Sequence, residues 1–432
     1  MLSAFGRAFR TPDLRRKLLF TLAIMALFRV GSFIPAPGVD YGNVQQCVAA
    51  LEGSTSLLGL VNTFSGGALL QLSIFALGIM PYITASIIVQ LLRVVIPRFE
   101  ALHKEGQSGQ AKLTQYTRYL TIALAILQAT TIVTTARTGL LFPGCAVDVV
   151  VDDHFMTAAI MVITMTAGTG LVMWLGELIT ERGVGNGMSL LIFTSIVASL
   201  PTALWSIAGG ANGPLNFAIV VIMIVLVIGM VVFVEQSQRR IPVQYAKRMV
   251  GRRMYGGTST YIPIKINMAG VIPVIFAASI LAIPALLAQF GDQNADWVIW
   301  ISRNLAQQDQ ALYIVCYVLM IIFFAFFYTS ITFNPDEVAD NMKKYGGFIP
   351  GIRAGRPTAE YLDFVITRIT SAGALYLAIV ALIPTLVLVL LGVTTQIPFG
   401  GTSILIIVGV GLEFVKQVNS QLQQRHYEGF LR

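Results

Sequence analysis

"NTFSGGALLQLSIFALGIMPYITASIIVQLL", Asn62 to Leu92, is almost wholly apolar, yet it opens on Ser65-Gly66-Gly67 and carries Pro81 in its middle. The apolar region around it runs from Leu57 to Ile96, 40 residues. As one helix it would measure about 60 Å, against roughly 30 Å of bilayer hydrocarbon. It is too long to cross once, and it has no polar turn that would let it cross twice. How the excess is accommodated decides the fold.

The rest of the chain fixes the setting. Of its 432 residues, 56% are hydrophobic and 12% charged, and the mean hydropathy is +0.75. Such a chain is a polytopic membrane protein. Apolar runs of membrane-spanning length fall near 18–36, 73–95, 116–136, 155–179, 187–207, 214–234, 267–290, 311–333, 367–392 and 400–420. The runs are continuous and do not alternate, which excludes a β-barrel and predicts an all-α protein of ten transmembrane helices.

Basic residues orient these spans. With the N-terminus inside, the odd-numbered connections are outside and carry only Arg137 and Arg303. Arg29 lies within the first span, and the other 26 of the 29 Lys and Arg residues fall inside. Both termini are therefore expected in the cytoplasm. The outer loops are acidic, with Asp40, Glu52, Asp148, Asp152, Asp153, Asp292, Asp296 and Asp309. The first run contains Arg29, lacks a small-x-small cleavage site and ends in Ile34-Pro35-Ala36-Pro37, so it reads as a retained span and not a signal peptide. The three cysteines form no metal motif; Cys47 and Cys145 both fall outside, where a disulfide is permissible.

Chemistry inside the bilayer needs ionisable groups there, and this chain has few. Glu177, Glu235 and Glu413 sit near cytoplasmic span ends, and His103, His154 and His426 lie in loops or flanks. No HExxH, Gly-x-Ser-x-Gly or intramembrane aspartate pair is present. An enzyme is not expected, nor a catalytic residue, cofactor or metal. Gly183-Val184-Gly185-Asn186-Gly187 matches a phosphate loop only loosely, has no preceding strand, and reads as a tight turn between spans 4 and 5.

Two inside loops are long. In 235–266, the alternation of Ile241, Val243 and Tyr245, with Gly251 and Gly256-Gly257 beyond, predicts a projecting hairpin with Lys247, Arg248, Arg252 and Arg253 near its tip. In 334–366, Asn334-Pro335 starts a short helix, Gly346-Gly347 ends it, and a second helix follows Pro357. Between them "GFIPGIRAGRP" presents Arg353 and Arg356. Topology explains the number of these basic residues but not their placement on projecting loops, which suits an acidic or polyanionic partner.

Several long blocks then carry a resemblance. "FRVGSFIPAPG", "NTFSGGAL", "SIFALGIMPYITASIIVQLL", "QYTRYL", "MWLGELITERGVGNGMSLLIF", "KINMAGVIPVIFAASIL", "FNPDEVADNMKKYGGFIPGIRAG" and "FGGTSILI" together resemble the bacterial SecY family, the large subunit of the protein-conducting channel of the plasma membrane. The resemblance runs in order over nearly the whole chain; the first outer loop and 137–153 match loosely, and nothing is carried over there.

The resemblance implies two inverted halves, 1–207 and 208–432, and a re-entrant plug helix at about 57–72, including Asn62, Thr63, Phe64, Ser65, Gly66 and Gly67, ahead of a span from Ser73 to Val95. Gly66-Gly67 weakens any helix there by about 1 kcal/mol per glycine. It implies a pore ring at Ile79, Ile83, Ile192, Ile275 and Ile406, each roughly 9–15 Å from a span end. It implies a lateral gate between spans 2 and 7, near Thr84, Ser86, Gln90, Gln128 and Asn267, open to signal peptides, nascent chains and the lipid bilayer. Arg252, Arg253 and Arg353 become docking residues for the ribosome or the motor ATPase SecA, with SecE and SecG as partner subunits. A small-solute secondary transporter is the rival reading, but it would place coordinating polar groups at the midplane, where five isoleucines stand.

Overall fold

The computed structural model describes residues 9, 11–50, 65–139, 141–142, 145, 147–151, 154–209, 213–245, 248–250, 253–255, 259–290, 295–305, 310–391 and 401–428. Each apolar run carries a helix: span 1, Pro12–Gly31; span 2, Met80–Val95; span 3, Gln107–Arg137; span 4, Phe155–Arg182; span 5, Gly187–Ala208; span 6, Gly213–Gln236; span 7, Ile272–Phe290; span 8, Ala311–Thr332; span 9, Arg356–Leu391; span 10, Gly401–Glu428. Among the described residues, six helical stretches are long and apolar enough to cross a bilayer by length and composition alone. Spans 1, 2, 5 and 7 are shorter or more charged. Leu22, Leu27, Ile163, Leu226, Leu319, Phe323 and Leu375 are exposed on the helix surfaces, as apolar side chains facing lipid would be.

The opening stretch departs from expectation. Ser65–Ile79 is a succession of turns, and the helix of span 2 begins only at Met80. The segment expected as a plug helix is therefore not helical over its described part, Ser65 to Leu72, and span 2 is shorter than the apolar run that contains it. Pro81 is the reason: in a helix interior it would remove a hydrogen bond and clash with the preceding turn, whereas at the first turn it costs nothing. Asn62, Thr63 and Phe64 lie outside the described residues.

Irregular backbone at membrane depth must be enclosed by protein, and it is. The Ala36 amide donates to the Leu72 carbonyl and the Ile74 amide to the Ile34 carbonyl, both at 2.9 Å. Phe28 of span 1 stacks on Phe75 at 5.8 Å. On span 4, a Cβ at Gly168 would stand 2.1 Å from the Ile74 carbonyl oxygen, so only glycine admits that backbone. Span 2 ends at Ile96-Pro97, where the chain bends by 100° into the short helix Pro97–Lys104.

On the face opposite the basic loops, helix Tyr41–Ala50 packs with Leu141, Phe142 and Val149 over Leu69 and Leu72. Cys47 and Cys145 are joined there by a disulfide, with Cα atoms 5.4 Å apart. On the basic face, β1 (Gln238–Tyr245) pairs antiparallel with β4 (Ser259–Lys265), and β2 (Arg248–Val250) with β3 (Arg253–Tyr255) at the tip. This is the expected hairpin. β5 (Gly347–Phe348) adds to the other edge of β1, through Gln244↔Phe348 and Tyr245↔Gly347. Ile241, Val243 and Ile264 are buried with Met342, Ile349, Leu362 and Ile366. The two long loops thus form one body.

The disulfide makes a direct prediction. Denatured, unreduced protein should take up one maleimide per chain, at Cys316. After reduction it should take up three, one for each cysteine in the sequence. Three before reduction would show that the pair is not formed.

Candidate pore and basic face

The five isoleucines come from four spans. Ile79 is the last residue before span 2 and Ile83 lies one turn into it; the others sit on spans 5, 7 and 10. Ile79, Ile83, Ile192 and Ile406 are buried in a single apolar cluster, and Ile275 packs against it half-buried. The five aliphatic side chains themselves offer nothing to replace an ion's hydration shell.

The residues expected at the lateral gate do not bond to one another. The Thr84 hydroxyl donates to Met80 of its own helix at 3.0 Å. The Asn267 amide donates to Glu235 at 2.6 Å and to the Gly270 carbonyl at 3.1 Å, tying the start of span 7 to the end of span 6. Ser86, Gln90 and Gln128 are half-buried. Among the described residues, extensive contact between the first five and last five spans runs through span 5, against spans 6 and 10, whereas spans 2 and 3 do not pack extensively on spans 7 and 8.

On the basic face, Asn334 caps helix Pro335–Lys344 by accepting from the amides of Asp336 and Glu337. Asn186 does the same for span 5, accepting from Met188 and Ser189, so Gly183–Gly187 is the expected turn and not a phosphate loop. Arg353 is exposed in the turn between Phe348 and Arg356. Its carbonyl accepts from the Thr358 hydroxyl at 2.8 Å, which pins the turn to the start of span 9. Arg253 begins β3 at the hairpin tip; Arg252 lies outside the described residues.

Three side-chain ties escaped the sequence reading. Arg118 of span 3 grips Glu177 of span 4 bidentately, Nε to Oε1 at 2.8 Å and Nη2 to Oε2 at 2.7 Å. Tyr317 of span 8 hydrogen-bonds Thr402 of span 10, both buried. Arg29 of span 1 donates to the Gly66 carbonyl. An ionisable residue inside an apolar run is the one signal that marks such positions; the partner's identity is not in it.

A bundle of apolar helices around a shared apolar core, with irregular backbone enclosed beside it and a braced basic platform on one face, is the architecture of a polytopic membrane protein. The chain belongs to the SecY family, whose model matches residues 73–415. It is 67% identical to the protein translocase subunit SecY of Streptomyces galbus and 58% identical to that of Mycobacterium tuberculosis (strain ATCC 25618 / H37Rv), over the full length of both. Its fold resembles a solved protein-conducting channel, with a TM-score of 0.63 at 18% identity, covering 94% of this chain and 91% of that one. It also resembles Sec61 in a canine ribosome–channel complex of the endoplasmic reticulum, with a TM-score of 0.61 and the same coverage.

The Arg118–Glu177 pair can be tested as a unit. In a double-mutant cycle with Arg118→Met and Glu177→Leu, thermal unfolding in detergent should give a coupling of about 1 kcal/mol, held to that size by partial exposure of both side chains. Additive effects would show that the pair does not join spans 3 and 4.

Proposed function

We propose that this chain is the pore-forming subunit of a protein-conducting channel in the bacterial plasma membrane. It passes unfolded secretory chains across and releases hydrophobic segments sideways into lipid. The observation that supports this reading is that five isoleucines from spans 2, 5, 7 and 10 belong to, or pack against, one apolar cluster. A narrow aliphatic ring blocks ions by dewetting, yet it yields around an extended polypeptide without holding it chemically. The channel is passive, and partners supply the energy.

The roles follow from this. Ile79, Ile83, Ile192, Ile275 and Ile406 form the ring. The segment 57–72 is the plug; a related channel is described as having a SecY plug domain that stabilises the closed state and maintains a membrane seal. Spans 2 and 3 part from spans 7 and 8 at the lateral gate, with span 5 on the hinge side. The sparse packing across the gate favours that division. Thr84, Ser86, Gln90 and Gln128 line the opening and are available to an entering signal peptide, and Asn267 borders it while its amide is held by Glu235. The basic loops face the cytoplasm, as the charge distribution requires. The Cys47–Cys145 disulfide supports the same orientation, since it needs an oxidising compartment on the opposite face.

Arg252, Arg253 and Arg353 dock the ribosome or the motor ATPase SecA. Docking force must be transmitted to the membrane, and a single body built from both loops and the start of span 9 suits that task. SecE braces the two halves and SecG binds peripherally.

Two outcomes test this reading. Ile83→Gly with Ile275→Gly should make the resting channel leak small ions in planar bilayers, because the constriction widens and wets. Unchanged conductance would remove the ring. For docking, Arg353→Glu should abolish ATP-dependent translocation of a secretory precursor into proteoliposomes, and Arg353→Lys should clearly impair it, since an ammonium cannot reproduce a bidentate fork on a carboxylate. Wild-type rates for both, at normal protein levels, would reduce Arg353 to a topology charge.

A further inference from the structure

Arg29 stands in the last turn of span 1. A basic residue there would ordinarily serve the helix's own terminal carbonyls. Its Nη1 instead donates to the carbonyl of Gly66, 37 residues along the chain. The guanidinium carbon also lies 4.7 Å from the centroid of the Phe33 ring, a cation–π contact that limits where the side chain can point.

The place Gly66 occupies is tight. Its φ is +69°, and a Cβ built there would lie 2.9 Å from Arg29 Nη1, 3.2 Å from Ser195 Cα and 3.3 Å from Ser195 Cβ. Ser195 lies on span 5, three residues beyond Ile192, which is about 4.5 Å further along the helix axis. Span 5 starts at the cytoplasmic turn, so this seat is one turn outward of the ring. Ser65 is fully buried, and its hydroxyl accepts from the Leu69 amide at 3.1 Å. Gln71 Oε1 and Ser73 Oγ are buried without a hydrogen-bond partner among the described residues, an unfavourable feature for a segment meant to be permanent core.

We propose that Arg29 is a positioning residue that latches the plug against span 5, directly outside the isoleucine ring, by donating to the Gly66 carbonyl. This rests on the reading of 57–72 as the plug. The design has two physical merits. A charge-assisted hydrogen bond is stronger than a neutral one, yet a single such bond can be broken when a signal peptide displaces the segment. Its acceptor is main chain, so the seat depends on backbone geometry and on the absence of a side chain at Gly66.

The test uses the channel reconstituted with its natural subunits in planar bilayers. Arg29→Leu should raise resting ion conductance about tenfold, the range expected for losing one charge-assisted hydrogen bond. Gly66→Ala should act in the same direction, and the two together should not exceed the larger single effect. In a channel lacking residues 62–70, which should itself leak, Arg29→Leu should add nothing; a merely structural Arg29 would still lower its stability there. If Arg29→Leu protein does not accumulate, Gly66→Ala carries the test, read as faster labelling of a Ser65→Cys variant by a membrane-impermeant maleimide. Wild-type conductance and labelling in both variants, with a leaking deletion, would overturn the latch and leave the plug standing. No leak from the deletion would overturn the plug reading and the latch with it.

Discussion

A backbone that leaves the helix inside a bilayer must be surrounded by protein, because nothing else there can meet its polar groups. Ser65–Ile79 does leave the helix, and most of the surrounding architecture follows from enclosing it. Span 1 supplies Phe28 to stack on Phe75, the chain after span 1 supplies two main-chain bonds, and span 4 supplies Gly168. The Tyr41–Ala50 helix and the disulfide-linked loop pack over Leu69 and Leu72 on the side away from the basic loops. Ile79 and Ile83 sit where the irregular segment becomes helix, which carries them into the cluster shared with spans 5, 7 and 10.

Helices in lipid gain little from apolar contact with one another, so packing and polar ties decide which of them stay together. Here the ties are local. Arg118–Glu177 joins spans 3 and 4, Glu235–Asn267 joins spans 6 and 7, and Tyr317–Thr402 joins spans 8 and 10. None of the three connects the first five spans to the last five. Contact between those groups is concentrated along span 5. A molecule joined firmly on one side and loosely on the other can part around a substrate and close again, without any chemistry of its own.

Much of this was legible in the chain. The ten apolar runs each carry a helix. Asn334-Pro335 caps as its residue types demand, and the Ile241/Val243 alternation is a strand. The turn at Gly183–Gly187 also needed only local rules. What was not legible is long-range. Apolar composition cannot distinguish an enclosed turn from a lipid-facing helix, so the start of span 2 was read from Ser73 and not from Met80. Pro81 was the available clue, and it marked a first turn and not a kink. The β1–β5 pairing joins residues about a hundred positions apart, with no local mark. Asn267 was read as facing across a gate, but its amide is held by Glu235. Arg29 was conspicuous as a charge in an apolar run, yet its partner is a main-chain carbonyl, which no side-chain pattern reveals.

A translocating chain should pass through the isoleucine ring. A photo-crosslinking amino acid at Ile79, Ile192 or Ile406, in a channel arrested with a secretory precursor partway through, should crosslink to the precursor. The same probe at Leu226, exposed on the surface of span 6, should crosslink to lipid alone. Precursor crosslinks at the isoleucines no more frequent than at Leu226 would contradict a pore through this ring.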